Sequence, residues 1–181
     1  MDPWLLGSAA ALLSIERVAY IVIWRNPRAF RRWAARPPIA QLGSPIDVLA
    51  WLFALFKLLQ VAVFVGWLLA SGHGSLRPQS ADMRILVAGG LLVSTGQYLN
   101  LLVFRRLGKV GVFYGNRFGQ PVPWCRRFPF TWFEHPQYVG TVIAIWGFFF
   151  LMRFPAADWL AIPMLETIYY VAGAHFEGES P

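Results

Sequence analysis

Between residues 108 and 140 the chain reads GKVGVFYGNRFGQPVPWCRRFPFTWFEHPQYVG, a polar block set among apolar runs. Gly108, Gly111, Gly115 and Gly119 recur at intervals of three and four, with Phe113, Tyr114 and Phe118 between them. Glycines let backbone N–H groups approach a ligand closely and allow positive φ. Aromatic faces attract a cationic centre, by about 0.5–2 kcal/mol each. Lys109, Arg117, Arg126 and Arg127 add positive charge, and the block closes on His135-Pro136-Gln137-Tyr138-Val139-Gly140. A protein that only spans lipid has no use for such a segment. It suits a place where a water-soluble ligand meets a lipid-side substrate.

The elements that position this block are apolar. The chain has 181 residues, 57% hydrophobic, 17% aromatic and 14% charged, with mean hydropathy +0.49. A soluble domain of this size needs more charge to solvate its surface. The composition therefore predicts an integral membrane protein of one domain, residues 1–181. The formal charge is +7, but the basic residues cluster between apolar segments, the pattern of an anionic cytoplasmic membrane face and not of nucleic-acid binding. Cys125 is the single cysteine, which excludes a disulfide framework and a thiolate metal site; no metal centre is expected. The start, Met1-Asp2-Pro3, lacks the basic n-region of a cleavable signal.

Five apolar runs are predicted as helices, at about 4–24, 48–70, 85–104, 138–152 and 157–175, giving an all-α bundle of four to five transmembrane or intramembrane helices. The positive-inside rule places loops 25–45 and 105–137 in the cytoplasm and loop 71–84 opposite. The last two runs, separated by Arg153-Phe154-Pro155, read as a helical pair broken at Pro155 or as one strongly kinked span. Glu16 and Lys57 are ionisable residues inside apolar runs, where a charge costs about 2.5–3.5 kcal/mol and defaults to a paired or functional role.

The run Leu107 to Gly119, L-G-K-V-G-V-F-Y-G-N-R-F-G, resembles the membrane-embedded phospholipid N-methyltransferases, the phosphatidylethanolamine methyltransferase family. Phe128-Pro129-Phe130 and Pro136-x-Tyr138-x-Gly140 add to the resemblance, as do Trp24-Arg25-Asn26-Pro27-Arg28-Ala29-Phe30 and Gly43-Ser44-Pro45. The H-P-x-Y-x-G string is shared with isoprenylcysteine carboxyl methyltransferases and with some membrane sterol reductases.

The resemblance implies S-adenosylmethionine as methyl donor and phosphatidylethanolamine, or its mono- and dimethyl forms, as acceptor, leading toward phosphatidylcholine. It implies an active site in an interfacial loop facing the cytoplasm, in a bacterial inner membrane or the endoplasmic reticulum. Gly96, Gly108, Gly111, Gly115, His135, Tyr138, Gly140 and Glu177 are the implied cofactor contacts. Gly96 stands where the family has a Gly-x-Gly motif, here Ser94-Thr95-Gly96, and Glu177 where it has a Glu-Glu pair, here Glu177-Gly178. Small residues also serve helix packing, a competing reading for each glycine. Phe113, Tyr114, Arg117, Phe118 and Glu16 are the expected substrate contacts. His135 or Glu134 is the expected base, because an ammonium has no lone pair and must lose a proton before it can accept a methyl group. Glu177 can reach such a site only if the last two runs form an out-and-back hairpin. An isoprenylcysteine carboxyl methyltransferase-like enzyme, an NADPH-dependent membrane reductase and a non-catalytic homologue are the alternatives.

Overall fold

The computed structural model describes residues 2–178 apart from His73 and Trp124. Among them the chain forms six α-helices and no strand: α1 (Pro3–Arg25), α2 (Pro27–Ala34), α3 (Pro45–Ser71), α4 (Met83–Val112), α5 (Pro136–Arg153) and α6 (Ala161–Gly178). α1, α3 and the stretch Met83–Phe118 that contains α4 are long and apolar enough to cross a membrane. The protein is an all-α integral membrane protein. α5 and α6, of 18 residues each, rise roughly 27 Å, close to the ~30 Å hydrocarbon core.

Local chemistry sets the helix starts. Proline occupies the first turn of α1, α2, α3 and α5, where a missing N–H costs nothing. Asp2 and Asp82 cap α1 and α4 by accepting from the backbone N–H of Trp4 (2.9 Å) and Arg84 (2.8 Å). Gly43-Ser44-Pro45 is the start of α3: Ser44 and Asp47 form a reciprocal capping box, and Asp47 also pairs with Lys109 at the far end of α4.

The tightest seam joins α4 to α5 and is made by glycine. A Cβ on Gly96 would sit 2.3 Å from the Gly140 carbonyl oxygen, and one on Gly147 2.7 Å from the Val93 nitrogen. Gly89 meets Leu151 in the same way. α6 packs on α1 and α5, and α1 on α3, whereas α3 makes little contact with α4. The hairpin turns beyond Arg153, which is buried and ion-paired to Asp158.

Several predicted boundaries shift. The third helix, predicted to end at 104, continues to Val112 through Arg105, Arg106 and Lys109, because charge ends the apolar run without ending helical hydrogen bonding. Gly108 (φ 63°) kinks it. The segments 25–45 and 105–137, predicted as loops, therefore hold the amphipathic α2 and the end of α4. The fourth helix starts at Pro136, and the last starts at Ala161 instead of 157, after turns. The last two runs adopt the hairpin alternative and not a kinked span.

Candidate functional site

Five helices enclose a cavity. α1 contributes Glu16, Arg17 and Tyr20; α3 contributes Phe53 and Lys57; α4 and the turn after it contribute Gly111, Phe113 and Tyr114. Glu134 and His135 precede α5, which adds Gln137, Tyr138 and Thr141; α6 adds Tyr170 and Glu177.

Glu177, in the last turn of α6, accepts hydrogen bonds at one oxygen, Oε1, from the hydroxyls of Tyr114 (2.7 Å) and Tyr138 (2.6 Å). Tyr114 reaches it from a left-handed backbone (φ 58°), a conformation that costs a non-glycine residue on the order of 1–3 kcal/mol and persists only where its surroundings enforce it. Here the enforcement is aromatic: its ring packs edge-on against Trp24 (4.9 Å) and Tyr20 (6.0 Å). The Tyr20 hydroxyl is buried, and no group among the described residues bonds to it.

Deeper in the cavity lies a ladder of buried polar groups. Arg17 holds Glu16 Oε1 at 2.5 Å, and Lys57 Nζ lies 3.0 Å from the same oxygen. Lys57 also donates to Gln60 Oε1 and to the Tyr170 hydroxyl, each at 3.0 Å. The three ammonium protons thus meet three acceptors. Gln60 Nε2 passes the chain on to Glu166 Oε1 at 2.6 Å. The Arg17 guanidinium lies 3.9 Å from the centre of the Tyr170 ring, within cation–π range. Charges removed from water destabilise unless paired and bonded in this way.

Eight predicted site residues line this cavity: Glu16, Gly111, Phe113, Tyr114, Glu134, His135, Tyr138 and Glu177. Among them Glu16 is held by two cations, and His135 stacks on the Tyr138 ring at 5.7 Å while its carbonyl starts α5. The structure puts the others elsewhere. Gly96 and Gly140 form the α4–α5 seam, Gly108 is the kink, and Gly115 packs under Val110, whose Cγ1 would lie 2.4 Å from an added Cβ. Phe118 stacks on Phe30 in the core (5.5 Å). Arg117 donates from Nε (3.2 Å) and NH2 (2.7 Å) to the Trp24 carbonyl and lines a separate basic cavity with Arg25, Arg28 and Arg32.

Sequence reasoning did not single out Arg17, Tyr20, Tyr170, Gln60 or Glu166 as members of a site. Arg17 and Glu166 carried a signal, an ionisable group inside an apolar run; the tyrosines and Gln60 carried none. Among the described residues no group of three or more His, Cys, Asp or Glu is placed to hold a metal ion.

A family model described as phospholipid methyltransferase matches residues 84–180, just over half of the chain, from α4 through the α5–α6 hairpin. A protein of Arabidopsis thaliana named phosphatidyl-N-methylethanolamine N-methyltransferase is 44% identical over 54 residues, which is 30% of this chain and 33% of that protein. The match thus spans a third of that relative's length. No solved structure matches the chain.

Proposed function

The chain belongs to the phospholipid methyltransferase family, and from that premise we propose that it N-methylates phosphatidylethanolamine, or its mono- and dimethyl forms, with S-adenosylmethionine as donor. One observation carries the reading: Tyr114 and Tyr138 hold a carboxylate, Glu177, at the mouth of an aromatic-walled cavity. Residues 1–181 act as a single membrane-embedded catalytic unit, with the basic ends of the helices and the cavity on the cytoplasmic side.

The residues present fit such a donor. Both tyrosines use Oε1 of Glu177, which leaves Oε2, among the described residues, to accept from ligand hydroxyl or amino hydrogens, a charge-assisted bond. The unsatisfied Tyr20 hydroxyl offers a second polar contact. When bound, S-adenosylmethionine supplies an electrophilic methyl group on a sulfonium. The rings of Tyr114, Tyr138 and Phe113 present faces suited to cationic centres. Gly111 keeps the wall free of side chain where Leu107 and Val122 already crowd it.

Glu134 and His135 sit where the cavity lining meets the start of α5. An imidazole nitrogen of His135 or a carboxylate oxygen of Glu134 takes the proton from the substrate nitrogen and frees its lone pair. Glu16 is already engaged by Arg17 and Lys57, so its role is to hold the buried polar ladder together. The remaining contribution is positional: the helices hold amine and donor in line and away from bulk water.

Purified protein in phosphatidylethanolamine vesicles with methyl-labelled S-adenosylmethionine tests the reading. Label in lipids with methylated headgroups is expected. Donor binding without labelled lipid would redirect the assignment to another acceptor, and no donor binding would overturn it.

A further inference from the structure

The cavity does not end at its polar ladder. Phe53, Lys57, Gln137 and Thr141 also line a second space, a groove between α3 and α4 with α5 behind it. Its walls are Val61 and Val65 of α3, Val93 and Leu101 of α4, and Ile145 and Phe148 of α5. The groove exists because α3 makes little contact with α4, while α4 is locked to α5 by the glycine seam. Its rims face outward: Val61 is 56% and Leu101 46% exposed, so on a membrane-spanning bundle the groove opens sideways into lipid.

Length and polarity narrow what fits. On α5 the lining runs from Gln137 to Phe148 and on α4 from Phe104 back to Val93, a rise of roughly 16 Å on each helix. One leaflet of hydrocarbon is about 15 Å deep. Among the described residues lining the groove, Lys57, at the neck shared with the first cavity, is the only charged one. Beyond it the walls are aliphatic and aromatic, with neutral amides at Gln60, Gln97 and Asn100. A polar chamber joined through a narrow neck to an apolar slot one leaflet long is the negative of an amphiphile.

We propose that the groove seats an acyl chain of the phospholipid substrate, which enters sideways from the bilayer between α3 and α4 and passes its headgroup through the neck into the first cavity. The proposal rests on the phospholipid reading above and assigns its lipid subsite. α5 forms the common wall, so the amine reaches Tyr138 and Glu177 while the chain stays in lipid-like surroundings. No part of the substrate except the headgroup has to leave an apolar environment.

The test compares two acceptors, dioleoyl phosphatidylethanolamine in vesicles and soluble dihexanoyl phosphatidylethanolamine, in the wild type and in Val61→Trp and Leu101→Trp. Both variants place an indole at the outward rim, where added bulk meets lipid and not core. The expected result is a roughly tenfold lower kcat/KM on the long-chain lipid, the size set by a few methylenes losing burial, carried by KM. Turnover of the short-chain lipid should hold. A loss equal on both acceptors, or no loss on either, overturns the groove. A wild type that methylates neither acceptor overturns the phospholipid reading itself, and the groove with it.

A second measurement needs no variant. Phosphatidylethanolamine carrying a diazirine on its acyl chain is irradiated with the wild-type protein. Cross-links are expected to concentrate on residues 61–65 and 93–101 over Leu58 and Val171, which are more exposed (68% and 63%). Uniform labelling of all lipid-facing positions would overturn the proposal.

Discussion

The hydroxyl of Tyr138, in the first turn of α5, lies 2.6 Å from Oε1 of Glu177, in the last turn of α6. One hydrogen bond thus closes a hairpin across a sequence separation of 39 residues. The closure depends on equal arms: both helices have 18 residues, so the chain returns level with its starting point. Tyr114 joins the same oxygen from beyond α4, which ties the glycine–aromatic block to the hairpin.

Glu177→Gln is expected to weaken S-adenosylmethionine binding about tenfold or more, since a hydrogen bond to a charged group is worth about 1.5–3 kcal/mol. Tyr138→Phe removes one of the two bonds that orient the carboxylate and should cost less, about 1 kcal/mol or roughly fivefold. Titration calorimetry on the detergent-solubilised protein measures both. Unchanged affinity in the two variants would remove Glu177 from the donor site.

Lys57 and Glu16 should behave as a coupled pair. Lys57→Met strips Glu16, Gln60 and the Tyr170 hydroxyl of a shared donor, and breaking a buried pair by removing one partner typically costs about 3–5 kcal/mol. Combining it with Glu16→Gln should cost less than the two single losses added together, because both substitutions break the same ion pair. Thermal unfolding of the two single variants and the double variant reads the coupling. Strictly additive shifts would mean that the two side chains act independently.

Gly96→Ala and Gly90→Ala make a matched comparison on one helix. At Gly96 the new methyl meets the Gly140 carbonyl oxygen at 2.3 Å and the Ala144 nitrogen at 2.6 Å, whereas at Gly90 nothing lies within 4 Å. Overpacking against backbone predicts a loss of about 1–3 kcal/mol or more for the first. The second should be neutral or slightly stabilising, by up to about 1 kcal/mol of helix propensity. Melting temperatures in detergent decide; equal effects would contradict the close α4–α5 approach. Loss of donor binding by Gly96→Ala at full stability would instead favour the sequence-based cofactor assignment.

The hairpin also predicts a topology. In a Cys125→Ser background, cysteines at Arg106 and at His175 should be labelled by an impermeant maleimide from the same side of a sealed vesicle. A cysteine at Arg77 should be labelled from the other side. Labelling of positions 106 and 175 from opposite faces would break the arrangement that lets Glu177 share a cavity with Tyr114.

What the amino-acid sequence determined by itself is what depends on local composition. The spans of α1, α3 and α4 were legible because partition into lipid is a sum over about twenty consecutive side chains. The break at Pro155 limited the last two runs to a hairpin or a kink, whereas the helix starts at Pro45 and Pro136 lie two to three residues before the apolar runs predicted from 48 and 138. The extra turns of α4 were not legible: hydropathy reports where a chain prefers water, and Arg105, Arg106 and Lys109 are polar yet continue the helix. The amphipathic α2 was missed for a related reason, since its arginines read as a loop and only the burial of Phe30 and Ala34 reveals a packed face.

The site divides along the same line. Tyr114, Glu134, His135, Tyr138 and Glu177 were singled out from their types and motifs, and the tertiary structure brings them to one cavity. Spacing could not separate Gly111, which lines that cavity, from Gly96 and Gly140, which let two backbones touch; the difference is the direction in which a missing side chain would point. Nor could it show that Glu16 is held by both Arg17 and Lys57, or that Tyr170 completes the Lys57 coordination from a helix 113 residues away. Such assignments depend on how each helix is rotated about its axis and on which neighbour meets that face. Packing of the whole bundle settles both, and no single stretch of chain contains them.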